Sequence, residues 1–123
     1  ILSVEGFDTA LAEGVMLLTP FVADEDKELT KNFVAAYEEQ FGGVPNQFAA
    51  DAYDGIYAIK AAAEKAGLTP DMSISDMCEA MKTAMTEITI DGLTGEGITW
   101  TAEGEPSKAP KAKVIKDGAY TAM

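Results

Sequence analysis

Glycine and proline fall at intervals that break this chain into short pieces, and those breaks constrain its fold more than any other feature. Gly14 precedes the apolar run Val15, Met16, Leu17 and Leu18, which Thr19-Pro20 ends. Gly42-Gly43 with Pro45, and then Gly67, stop two later segments whose apolar residues recur at helical spacing. The punctuation predicts a short strand, three helices and a β-rich tail, an α/β chain with no internal repeat or low-complexity tract. Four consecutive apolar residues at 15–18 read as a strand buried on both faces, as in a parallel sheet. A length of 123 residues suits one modest domain and is too short for two complete ones.

The first helix is expected to start near Asp24, whose carboxylate can cap free N–H groups while Glu25 and Asp26 complement the positive end of the dipole. Its apolar stripe is Leu29, Phe33, Ala36, Tyr37 and Phe41. A second helix is predicted from Asn46 or Gln47 to Ala66, rich in alanine and therefore well buried against neighbouring backbone. The third begins at Ser73, with Asp76 at capping-box spacing, and Ile74, Met77, Cys78, Met81 and Met85 on one apolar face that places Cys78 in the core. Past Ile88 the pattern changes to strands, one around residues 98–101 and a hairpin over residues 113–121 turning at Asp117-Gly118, a dipeptide suited to a type I′ turn. Ala109, Pro110 and Lys111 read as a linker between structural units.

Charge excludes several functions. Nine basic residues against 21 acidic ones give a net charge of −12, which repels nucleic-acid phosphates and anionic lipid. All nine are lysines and there is no histidine, so imidazole bases, histidine metal ligands and arginine clamps are absent. Cys78 is the only cysteine, so no disulfide forms within the chain. No catalytic residues, metal ligands or cofactor are expected. Asp24, Glu25, Asp26 and Glu28 imitate a calcium loop, but Leu29 stands where that loop needs glycine. Gly92, Gly95 and Gly97 fit a turn better than a phosphate cradle, and Asp51 with Asp54 lack the surroundings of a catalytic dyad. Tyr53 and Tyr57 read as core; for Phe48, in a first helical turn, pocket wall and core stay equally open. The chain opens at Ile1 with no initiator methionine and no signal peptide, and reads as a mature sequence or an excerpt.

Three stretches carry a resemblance. They are Phe33-Val-Ala-Ala-Tyr-Glu-Glu-Gln-Phe-Gly-Gly-Val-Pro, then Phe48-Ala-Ala-Asp-Ala-Tyr-Asp-Gly-Ile-Tyr, then Leu93-Thr-Gly-Glu-Gly-Ile-Thr-Trp-Thr-Ala-Glu-Gly-Glu-Pro106. Together they resemble the branched-chain amino-acid (leucine/isoleucine/valine) substrate-binding proteins of ABC transporters. The resemblance implies the C-terminal third of a two-lobed, type I periplasmic-binding-protein-like fold with ligand in the cleft between lobes. It implies that residues 1–19 end the second lobe, that 20–105 form a helical portion of the first, and that 106–123 return to the second. It also implies an extracytoplasmic protein, periplasmic or lipid-anchored, that passes a small amino acid to a membrane permease and catalyses nothing. Phe48 matches an aromatic set against the ligand, and Asp51, on the same helical end, would bias the site toward an ammonium. So cut, both β portions would lack most sheet partners, and the chain would homodimerise through unpaired strands. A ligand-sensing receptor domain of the same fold and a self-associating helical interaction domain are the alternatives.

Overall fold

The computed structural model describes Leu2 and residues 4–123. The chain divides into two compact units, one running up to Gln47 and resuming from Pro110 to Met123, the other spanning Phe48–Ala109. The linker expected at Ala109, Pro110 and Lys111 coincides with the boundary between Ala109 and Pro110.

In the first unit, a 3-10 turn at Thr9–Ala12 leads into strand β1 (Met16–Thr19), and helix α1 (Glu28–Phe41) follows. The unit closes with strands β2 (Lys111–Lys116) and β3 (Ala119–Ala122). The strands form one sheet in the order β1-β2-β3, antiparallel throughout. Met16 faces Val114 and Thr19 faces Lys111 across the first pair. The parallel, doubly buried strand expected at 15–18 is therefore corrected: Met16 and Leu18 are 58% and 70% exposed, while Thr19 is buried. A run of apolar residues states that burial is possible, not that both faces receive it. The two β portions expected to lack partners pair with each other, and homodimerisation through unpaired strands is not supported. The turn joining β2 to β3 has Asp117 at φ 52° and Gly118 at φ 74°, the two positive values a type I′ turn requires.

Helix α1 begins four residues later than Asp24. Lys27 occupies its N-cap and makes no side-chain capping hydrogen bond there. The Asp24 carboxylate instead accepts the Ala122 N–H of β3 at 3.2 Å, a tertiary partner that competes with the capping role. The buried face of α1 centres on Thr30, with Phe33, Val34 and Tyr37 half-buried and Leu29, Ala36 and Phe41 exposed. Phe33 meets the buried ring of Phe21 edge-on at 6.0 Å, a favoured aromatic geometry. Gly42 ends the helix in the left-handed conformation at φ 74°, as Gly42-Gly43 implies.

Helix α2 (Gln47–Ala66) and helix α3 (Ile74–Met85) follow. Only one narrow stripe of α2 is buried, Ala50, Asp54, Ala58 and Ala62 at a spacing of four. The expectation of a well-buried α2 is corrected accordingly: Ile56, Tyr57 and Ile59 are each more than half exposed. Alanines serve here by letting one face approach closely, not by burying the whole helix. In α3 the Ser73 hydroxyl accepts the Asp76 N–H at 3.1 Å and bonds the Asp76 carboxylate at 2.8 Å, the cap its spacing predicts. Ala58, Ala62, Ala84 and Ile88 form the core of this unit, with Met81, Met85 and Trp100 packed against it. The core is met by Met81, Ala84 and Met85 in the last turns of α3; Cys78 lies on the same side but earlier in the helix and is exposed, so its expected core role is corrected. Residues 98–101 make isolated bridges, Ile90 to Ile98 and Trp100 to Pro106, in place of a strand.

Candidate functional site

The start of α2 carries both residues for which ligand contact is expected. Phe48 lies in its first turn and Asp51 three residues later, a spacing that puts the two on one helical face. Phe48 is 70% exposed and takes no part in the core of this chain. A large apolar side chain left in water is the less common outcome for phenylalanine and marks a surface that another group can cover.

Asp51 is half-buried and already has a partner: its Oδ1 lies 2.8 Å from the Lys108 ammonium. The side chains retain 37% and 23% exposure respectively, so the pair is held at the edge of solvent. Nothing in the sequence announces it, because the partners are 57 residues apart. Asp54, one turn further on, does something different. Its carboxylate, 4% exposed, accepts the N–H groups of Leu93 and Thr94, each at 2.8 Å, and the Thr94 hydroxyl at 2.5 Å. Asp51 and Asp54 are thus a salt-bridged acid and a loop anchor, with separate partners and no shared proton. The Asp54 contacts also explain the glycine at position 92: a Cβ there would lie 2.5 Å from the Asp54 carboxylate.

The acidic run before α1 is likewise spent on protein contacts. Glu25 pairs with Lys111 at 2.6 Å and Asp26 with Lys31. Partial burial alone would raise the Glu25 pKa, but the Lys111 hydrogen bond and charge outweigh it and hold the carboxyl below its ordinary range. The Lys31 hydrogen bond lowers that of Asp26. Among the described residues no group of three or more carboxylates, histidines or cysteines is placed to hold a metal ion. No described helix is long and apolar enough to cross a membrane. The first unit also contains a cavity of about 580 Å³ lined by Phe21, Val22, Val34, Pro45 and Tyr120, with Asp24 and Glu38 at its wall.

A family model described as periplasmic binding protein matches residues 3–116. The chain belongs to the periplasmic binding protein family. That family is one of binding proteins rather than enzymes, and it is the one the α1 and α2 motifs resemble. No curated protein matches the chain significantly. Among solved structures, a branched chain amino acid ABC transporter periplasmic ligand-binding protein from Burkholderia xenovorans shares its fold at a TM-score of 0.79 and 17% identity, covering 100% of this chain and 33% of that one. An ABC transporter substrate-binding protein from Desulfitobacterium hafniense, in complex with Leu, has a TM-score of 0.74 at 21% identity, covering 94% of this chain and 33% of the other. A solute binding protein of an ABC transporter from Rhodopseudomonas palustris, in complex with 3,4-dihydroxy benzoic acid, has a TM-score of 0.73 at 25% identity, covering 91% and 30%. The α/β fold expected from the sequence is therefore that of a periplasmic binding protein, and this chain spans about a third of the length of the solved structures it matches.

Proposed function

We propose that the protein to which this chain belongs is the solute-binding component of an ABC transporter, taking up a small amino acid of the branched-chain class outside the cytoplasm and delivering it to a membrane permease. The family match over residues 3–116 carries this reading. Likeness in fold to a transporter protein that holds Leu favours an amino acid, and the exposed ring of Phe48 supplies an apolar surface suited to an aliphatic side chain. Within the full protein, residues 1–19 and 106–123 belong to the second lobe and residues 20–105 to the first. Phe48 contacts the ligand, and Asp51 lies beside it on the same face of α2. The protein sits in the periplasm or is tethered to the cell surface by lipid.

A thermal-shift screen of the full-length protein against the twenty amino acids and a set of aromatic carboxylates tests the reading. A ligand at a hundred times its Kd stabilises the native state by about 2.7 kcal/mol, a readily measured rise in Tm. Leucine, isoleucine or valine should produce it. A response confined to aromatic carboxylates replaces the amino acid by that class, and no response to either set rejects the reading.

A further inference from the structure

The Lys108–Asp51 pair sits where the proposed function places the ligand, and its charges decide which solutes that surface accepts. Asp51 alone would draw amines and repel carboxylates, in a chain whose net charge of −12 already repels them. With Lys108 at 2.8 Å, the aspartate charge is compensated locally. An ammonium carries three N–H donors, so its bond to Asp51 Oδ1 leaves it able to donate to another carboxylate. The lysine side chain is also more buried than that of Asp51, 23% against 37% exposed, which limits screening by solvent. Phe48, on the same face, adds an apolar surface that carries no charge preference.

We propose that Lys108, by holding Asp51, makes the surface at the start of α2 select carboxylate-bearing solutes, zwitterionic amino acids included, over simple amines. Lys108 is on this account a specificity-determining residue, and the proposal rests on the solute-binding reading above.

Calorimetry on the full-length protein with L-leucine, 4-methylpentanoate, which lacks the amine, and 3-methylbutylamine, which lacks the carboxylate, tests it. The wild type should bind both carboxylates more tightly than the amine. Lys108→Met, which keeps the stem and removes the charge, should weaken both carboxylates about tenfold relative to the amine, the scale of one uncompensated charge at close range. The double substitution Asp51→Asn with Lys108→Met should bring the ratio back toward wild type, and Lys108→Arg should keep it. A ratio of affinities is read on folded protein only, so lost stability does not imitate the effect. A wild type that binds leucine with a ratio unchanged by Lys108→Met overturns the role of Lys108 alone. A wild type that binds none of the three compounds overturns the branched-chain reading and this selection with it.

Discussion

Asp54 holds Thr94 twice with one carboxylate oxygen, accepting its N–H at 2.8 Å and its hydroxyl at 2.5 Å, while the other oxygen takes the Leu93 N–H. A buried carboxylate with three donors aimed at it fixes the loop after Ile90 to the second turn of α2. Asp54→Asn keeps the shape but offers one acceptor oxygen and turns an NH2 group toward the remaining donors. Hydrogen bonds to a buried charge contribute about 1.5–3 kcal/mol each, so the substitution should cost about 3 kcal/mol. Urea denaturation of wild type and variant measures it, and a cost below about 1 kcal/mol would show that the loop is held by other contacts.

Two glycines of that loop should behave differently. Alanine at Gly92 would place its Cβ 2.5 Å from the Asp54 carboxylate, so the backbone has to move and the Asp54 bonds loosen. Alanine at Gly97 meets no atom within 4 Å and suffers only from its φ of +62°. Gly97→Ala should cost about 1 kcal/mol, the ordinary penalty of a left-handed residue, and Gly92→Ala at least about twice that. Equal costs for the two would contradict the close approach at Gly92.

The Tyr53 hydroxyl donates to that of Tyr57 at 3.3 Å, with the rings 4.8 Å apart. That hydrogen bond, with burial and the neighbouring Tyr57 and Asp54 charges, pushes the Tyr53 pKa up to about 12. A raised pKa favours the protonated phenol in the folded state. Its stabilisation is therefore complete below the unfolded value of about 10 and is lost as pH rises from there toward 12. Ultraviolet titration should show one tyrosine ionising late, and Tyr57→Phe should return it toward the ordinary value; an unchanged late titration would assign it to another tyrosine.

Glu25 has the opposite sign. Its pKa is depressed in the fold, so its contribution is present above the unfolded value of about 4.3 and disappears as pH falls through the lower, folded value. Glu25→Gln should flatten the acid limb of the stability profile below about pH 4.3 relative to wild type. The check is a series of denaturation curves from neutral to acid pH; parallel limbs for Glu25→Gln and wild type would mean that the pair with Lys111 contributes nothing measurable.

Phe48→Ala separates a binding role from a structural one. A side chain 70% exposed has little packing to lose, so stability should change by about 0.5 kcal/mol or less, while affinity for leucine in the full-length protein falls about tenfold. Denaturation and calorimetry on the same preparation give both numbers. Loss of stability without loss of affinity would place Phe48 in the framework.

Sequence by itself determined the elements whose signals are local. The α2 limits, Gln47 and Ala66, follow from the residues on either side; Ser73 and Asp76 announce the start of α3; Asp117-Gly118 gives the turn, because those bonds and dihedrals are made by neighbours in the chain. The motifs of α1 and α2 were also enough to name the family. Tertiary structure alone decided which face of each element is covered. It took Asp24 from a helix cap to a β3 partner, left Cys78 in water, and turned the apolar strand at 16–19 into one with two exposed side chains. It also chose the partners of the α2 acids, Thr94 for Asp54 across 40 residues and Lys108 for Asp51 across 57. Helical spacing records that two residues share a face, but what meets that face comes from distant chain, and no local pattern encodes it.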